Sequence, residues 1–259
     1  MSMQSQHIQT VVNEFSTQAA IWSGSVPSSL VELVSSLEFK SDDTVIDVAA
    51  GSCRVSRAIA PLVSEVTAVE ITQAMLEQGR KAAVQEGLSN IAFQVGTAES
   101  LPVESSQFDV AITRYSFHHF TDAQKVLTEM VRVTKPNGRV IVIDILSPHD
   151  ENLAYQYNHY QRMRDPSHTH SPQLALLQEW YQDEGIQVTH CQTTSETQAL
   201  DDWLQIPSLS DDTKGQIRNA VTAELEGGPA TGLIPFWENG TIYFREQVIT
   251  IIGQTKSEI

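Results

Sequence analysis

Apolar residues fall into two alternating periods between Thr44 and Leu146. Short runs rich in valine and isoleucine, at 44–48, 65–69, 91–95, 108–113 and 139–146, have the length of strands. The runs at 65–69 and 139–146 have no dominant polar face, which predicts strands covered on both sides. Between the runs, 55–62, 74–86 and 123–133 have the spacing of helices with one apolar side. The last helix meets a stop at Lys135-Pro136-Asn137-Gly138, where proline cannot continue a helix and Asn-Gly favours a turn. Strands alternating with helices at this spacing predict right-handed crossovers. The expected fold is therefore α/β, a doubly wound and mostly parallel sheet, with Ile141, Ile143 and Ile145 in its core.

The flanks read differently. Residues 7–22 and 29–37 predict two helices that cover something, because Phe15, Ile21 and Trp22 are costly to leave in water. Residues 147–181 are polar and include His159, Arg162, Arg164, Asp165, His168, His170 and Trp180. Too few aliphatics occur there for a separate core, so the segment is expected to be an insertion over the sheet edge. Strands at 186–193 and 241–252, with helices at 197–204 and 211–225 between them, would complete a seven-stranded sheet with an antiparallel pair at its end. The 259 residues then make one domain: cap helices at 7–37, a core at 40–146, the insertion at 147–181 and C-terminal strands and helices at 182–259.

Composition narrows the partners. With 41% hydrophobic and 19% charged residues the chain can bury a globular core, and no repeat of solenoid length recurs. The net charge is −16, with acid in excess in both halves, which disfavours nucleic acid and anionic membrane surfaces. Cys53 and Cys191 alone cannot make a disulfide framework. The N-terminal MSMQSQHIQT lacks the pattern of a signal peptide, and apolar runs such as 140–143 are too short to span a bilayer. A cytoplasmic protein without a membrane partner is expected.

In an open parallel sheet, ligands bind beyond the carboxyl ends of the strands. The first strand runs into Asp47-Val48-Ala49-Ala50-Gly51-Ser52-Cys53-Arg54, whose small residues let backbone approach a ligand before a helix N-terminus. Glu70 lies 23 residues beyond Asp47 at the tip of the second strand, placed to accept hydrogen bonds from two ribose hydroxyls. Gly96-Thr97-Ala98-Glu99-Ser100-Leu101-Pro102 follows another strand, where an adenine ring could meet backbone. Arg114-Tyr115-Ser116-Phe117-His118-His119-Phe120 follows the fourth, and an imidazole there suits a general base or a packing role.

In this order and spacing, VIDVAAGS, VTAVEIT, GTAESLP, FDVAITRYSFHHF and VTKPNGRVIVID resemble the class I S-adenosylmethionine (SAM) dependent methyltransferases. The resemblance covers roughly residues 10 to 147 and is strongest to the branch containing quinone-biosynthesis methylases. Arg164-Asp165-Pro166-Ser167-His168 also resembles small-molecule members of that branch. The resemblance implies SAM as cofactor, a small organic molecule as methyl acceptor, and direct displacement at the sulfonium methyl. It implies that Glu70 binds the ribose diol and that Ile71 and Met75 pack near the adenosine. Thr97, Ala98 and Glu99 would flank the adenine, while Asp47, Ala49 and Gly51 would form the loop along the methionyl part. Arg114, Phe117 and His118 would line the floor beneath the sulfonium. Trp22, with Phe15 and Ala19, matches a pattern in which an aromatic closes over the cofactor, as a ring face attracts a cation.

Three positions depart from the family pattern. Ala49 and Cys53 stand where glycine is usual, and Cys53 puts a side chain where strand and helix pack closest. Thr97 stands where an acid often binds the adenine amino group. These departures bear on cofactor affinity more than on fold. His118 and His168 are the catalytic candidates, with His168 and Arg164 facing the acceptor or forming a solvated insertion. No metal site is expected, since His159, His168 and His170 lack a Glu or Cys at ligand spacing. Cys53 has no evident activating base. Trp203, Phe236 and Trp237 are expected to pack, or to wall an acceptor pocket. Two alternatives stand beside methyl transfer. One is a SAM-binding sensor or non-methylating catalyst of the same fold. The other is a nicotinamide-dependent oxidoreductase, disfavoured because the first loop lacks GxGxxG.

Overall fold

The computed structural model describes residues 3–19 and 24–257. Five strands, β1 (Thr44–Val48), β2 (Glu65–Glu70), β3 (Ile91–Val95), β4 (Phe108–Arg114) and β5 (Thr134–Leu146), lie parallel in the order 3-2-1-4-5. Beyond β5 come β6 (Gln187–Ala199), β7 (Phe236–Glu238) and β8 (Thr241–Gln254). β8 inserts antiparallel between β5 and β6, and the short β7 pairs with its start, so the sheet has eight strands. The seven-stranded path matches the expectation, and β7 is an addition to it.

Nine α-helices lie in the described chain. They are α1 (Met3–Gln18), α2 (Ser28–Ser35), α3 (Arg54–Ile59), α4 (Gln73–Gln85), α5 (Ala123–Val133), α6 (Glu151–Arg164), α7 (Leu174–Asp183), α8 (Leu200–Trp203) and α9 (Asp211–Leu225). The alternation of side chains along the strands sorts them into two layers. Val45, Val110, Ile112, Ile141, Ile143 and Ile145 face α2, α3, α6, α8 and α9. Ile46, Val48, Ala111, Val140 and Val142 face α5 and α7. Both faces are covered, as the apolar runs of β2 and β5 require. None of the described helices is long and apolar enough to cross a membrane.

Several boundaries differ from the reading of the sequence. The proline–asparagine–glycine stop ends α5 at Val133, but the chain enters β5 at once. Residues 135–138 then loop out of the ladder, between the pairs Phe108↔Thr134 and Val110↔Arg139, with Asn137 at φ 59°. The helix expected at 55–62 ends at Ile59, and 60–62 tighten into a 3-10 turn at Pro61. The helix expected at 197–204 is a strand as far as Ala199 and helical only at Leu200–Trp203. The polar residues of 187–199 are held in an edge strand by main-chain pairing to β8, which needs no apolar periodicity. Residues 147–181 contain two helices. α6 buries Ala154, Tyr157, Asn158 and Gln161, a largely polar face that gives little apolar signal. Ile21 and Trp22 lie outside the described residues.

Candidate active site

The carboxyl ends of β1, β2, β4 and β5 converge on one edge. After β1 the backbone turns left-handed at every second residue: Ala49 (φ 55°), Gly51 (φ 54°) and Cys53 (φ 59°). Two of these three carry a Cβ, where the left-handed region costs about 1–2 kcal/mol per residue. The turn is closed by Ala50 N donating to Val69 O (3.0 Å) and Cys53 N donating to Ala50 O (2.8 Å). Cys53 is fully buried against Ala68 and Leu76, and its side chain lies over Gly79 of α4. A Cβ on Gly79 would stand 2.6 Å from Cys53 Sγ. The crowding expected at Cys53 is thus absorbed by a glycine on the neighbouring helix.

Asp47, at the end of β1, accepts from Ser56 N (2.9 Å) and from the Ser56 hydroxyl, and so ties the loop to the start of α3. Burial raises its carboxyl to about 7 despite those bonds. Glu70, 7% exposed at the tip of β2, accepts from Gly51 N and Thr72 N, both at 2.9 Å and one to each oxygen. Burial raises its pKa against the pull of these amides. The Thr72 hydroxyl and Ile71 N–H also draw its pKa down, but neither forms a hydrogen bond to it, so of the about four donors a carboxylate takes, each oxygen keeps room for one more. Beside it the backbone at Gly51 is bare, and a Cβ there would first meet Met75 Cε at 3.4 Å. A strand-tip carboxylate with spare acceptor sites, facing open backbone, fits a ribose-bearing cofactor.

The other expected residues line the same edge. Met75 is buried and Ile71 half-buried at the start of α4. Ala98 packs with Val69, Leu101 and Phe117, and Thr97 and Glu99 are half-buried beside it. This loop is held from α5, where Glu129 accepts from Leu101 N (2.8 Å) and Arg132 donates to the carbonyls of Leu101 and Val103, both at 3.1 Å. At the tip of β4 the Arg114 guanidinium lies 4.1 Å from the Tyr115 ring centroid, and Tyr115 OH donates to Glu196 (2.9 Å). Trp22 lies outside the described residues.

Reading the sequence missed Asp144. This fully buried residue of β5 accepts from Ser116 N (2.8 Å), Phe117 N (2.7 Å), Ile145 N (2.7 Å) and His118 Nδ1 (2.5 Å). Burial pulls the His118 imidazole down, but the charge and hydrogen bond of Asp144, with Asp165 and Glu246, raise it above its ordinary value. The signal was a lone acid in an otherwise aliphatic strand. Glu246 was missed likewise. It lies between Phe244 and Val248 on the core-facing side of β8, 7% exposed, and accepts from Tyr157 OH (3.1 Å) and Gln161 Nε2 (2.8 Å) of α6.

His118 sits between two other rings, with centroids 4.2 Å from His119 and 5.4 Å from His168. His119 Nδ1 donates to Ser167 O (3.1 Å), and burial next to His118 lowers its pKa to about 4. His168 is 4% exposed and donates from Nε2 to Asn158 Oδ1 (2.9 Å). Burial, then the neighbouring His118 and His119, lower its pKa to about 2. Such a histidine stays neutral when folded and takes a proton below about pH 6.5 only when unfolded. Its contribution to stability is complete above pH 6.5 and falls by about 2 kcal/mol on going to pH 5. Asp47 works in the opposite sense, its raised pKa favouring the folded chain as pH falls below 7. Comparison with His168→Gln isolates the histidine: urea unfolding at pH 7 and pH 5 should show a loss smaller by about 2 kcal/mol in the variant. Equal losses would mean that His168 is not the source.

The sheet order 3-2-1-4-5 with an antiparallel strand beyond β5, and its acid-tipped second strand, define a Rossmann-like enzyme fold. The family described as Methyltransferase domain matches residues 46–142. The uncharacterized methyltransferase YcgJ of Bacillus subtilis is 31% identical over 222 residues, spanning 85% of this chain and 88% of YcgJ. The crystal structure of YcgJ superimposes with a TM-score of 0.80 at 29% identity, covering 89% of this chain and 99% of that one. The ubiquinone/menaquinone biosynthesis C-methyltransferase UbiE of Ectopseudomonas mendocina is 32% identical over 120 residues, 45% of this chain and 47% of UbiE. The chain belongs to the class I SAM-dependent methyltransferases.

Proposed function

We propose that this enzyme transfers the methyl group of SAM to a small organic acceptor held between the cofactor cleft and residues 147–181. The observation that carries the reading is Glu70, a buried carboxylate with spare acceptor sites against the bare backbone of Gly51. Bound SAM supplies a methyl group already activated on a sulfonium, so the protein chiefly aligns the acceptor and excludes water. Glu70 takes the ribose hydroxyls, and Asp47 keeps Ala49 and Gly51 in the conformation that admits the cofactor. Ile71 and Met75 pack on the adenosine, and Thr97, Ala98 and Glu99 border the adenine. Arg114 and Phe117 form the floor. Of the two catalytic candidates, His118 is favoured over His168, whose Nε2 is taken by Asn158. The free thiols of Cys53 and Cys191 suit a reducing cytoplasm.

A non-methylating reading is prompted by Cys53 and Thr97, and Cys53 does not favour it, because it adopts the left-handed turn that glycine would. The test is turnover. Natively purified protein is expected to carry SAM or S-adenosylhomocysteine by mass spectrometry, and to form S-adenosylhomocysteine when given SAM and the small-molecule fraction of a cell extract. Turnover supported only by protein or nucleic-acid fractions would overturn the small acceptor. Cofactor without turnover in any fraction would favour a sensor.

A further inference from the structure

We propose that Asp144 is a positioning residue that makes His118 Nε2 the proton acceptor of the reaction, and that the methyl acceptor is therefore protic, a hydroxyl or an acidic C–H. This deepens the methyl-transfer reading and rests on it.

Asp144 cannot turn away from His118. Three backbone amides hold it, Ser116 N and Phe117 N on Oδ2 and Ile145 N on Oδ1, the oxygen that meets the imidazole. A carboxylate so held accepts but does not donate. The Nδ1 of His118, 2.5 Å away, must therefore carry its hydrogen toward Asp144, which leaves the lone pair of the neutral ring on Nε2. Among the described residues the hydrogen bond to Asp144 is made at Nδ1 and none is formed at Nε2, and the side chain keeps 12% of its surface open. It stands at the tip of β4, on the edge where the cofactor residues converge.

The surroundings single out this ring. Asp144 of β5, Asp165 beyond α6 and Glu246 of β8 all favour its protonated form. His119 on its own turn and His168 beyond α6 are held neutral by burial and by His118 itself. Arg162 stands near His168 and Arg164 near Glu246. Of the three imidazoles, with His168 stacked on His118 and His119 tilted against it, only His118 has a carboxylate bonded behind it. Such a device is of use only when a proton must be taken up. The acceptor O–H or C–H bond breaks and its proton goes to Nε2. The electron pair left behind forms the bond to the methyl group, and the pair of the former S–C bond stays on sulfur. A tertiary amine or a thioether has no proton to give and would leave the dyad idle.

The experiment is long-range 1H–15N NMR on the full chain labelled with 15N-histidine, with His118→Gln assigning the signal. The wild-type protein is expected to show His118 as the Nδ1–H tautomer, titrating above pH 6.5. Asp144→Asn is expected to lower that midpoint by at least one pH unit, to mix the tautomers and to reduce kcat at least about tenfold with KM for SAM unchanged. A merely structural Asp144 would shift the midpoint and the thermal stability but leave kcat in place, and that result overturns the proposal. An Nε2–H tautomer in the wild-type protein overturns the proposal without any variant. Methylation found at a tertiary amine or thioether overturns the acceptor class. Calorimetry with SAM on the same sample separates the two readings: failure to bind SAM defeats methyl transfer, whereas the tautomer decides the dyad by itself.

Discussion

Glu70→Ala is expected to weaken SAM binding at least about 100-fold by calorimetry, because two hydrogen bonds to an ionised acceptor contribute about 1.5–3 kcal/mol each. The substitution also leaves Gly51 N and Thr72 N without the acceptor that each meets at 2.9 Å, so some stability will be lost as well. That indirect effect can be separated by changing the ligand. The 2′-deoxy analogue of S-adenosylhomocysteine should bind the wild-type protein at least about tenfold more weakly than the ribose form, and the variant should hardly distinguish the two. If both proteins lose equally on removal of the hydroxyl, Glu70 does not touch the sugar and acts only as a clamp on the loop. The ionised carboxylate is the form expected to bind, and burial raises its pKa. Affinity should therefore begin to fall at a higher pH on acidification than an ordinary glutamate would dictate.

How far such a site can be seen in a sequence depends on what holds each piece. β1, β3 and α5 match their expected limits because a purely local pattern, branched residues for the strands and apolar spacing for the helix, coincides with their packing. β6 does not announce its full length, since its polar residues stay extended only by pairing with β8 more than forty residues downstream. α6 hides for the opposite reason. Its buried Asn158 and Gln161 are satisfied by partners outside the helix, His168 and Ser171 just beyond it and Glu246 far downstream, so the buried face is polar. The proposed cofactor side shows in the sequence as small residues and a strand-tip acid at a fixed spacing. The proposed acceptor side does not, because Asp144 and Glu246 have meaning only through what folding brings to them. An acid within an aliphatic strand is costly to bury alone, and that cost is a signal worth following to its partners.

Cys53 and Gly79 give the other large effect. Gly79→Ala should destabilise the protein by about 3 kcal/mol, seen as a fall in melting temperature of about 5–10 °C, since overpacking a filled interior costs about 1–3 kcal/mol or more. The new methyl would lie 2.6 Å from Cys53 Sγ, 2.8 Å from Cys53 Cβ and 3.0 Å from Ser52 O. Its strain exceeds the helix propensity that alanine adds, about 1 kcal/mol. Relief must come from the loop. Cys53→Gly removes both crowding atoms and suits the φ of 59° at that position, so the double variant Cys53→Gly with Gly79→Ala should recover at least about 2 kcal/mol over Gly79→Ala alone. Cys53→Ala should recover much less, because its Cβ remains in the way. Independent, additive losses would mean that the two residues do not share one space. The same strain passes into the loop at Ala49 and Gly51, so Gly79→Ala should also weaken SAM binding, and Cys53→Gly should restore that affinity together with the melting temperature. Joint recovery would tie the unusual cysteine of the first loop to a compensating glycine one helix away.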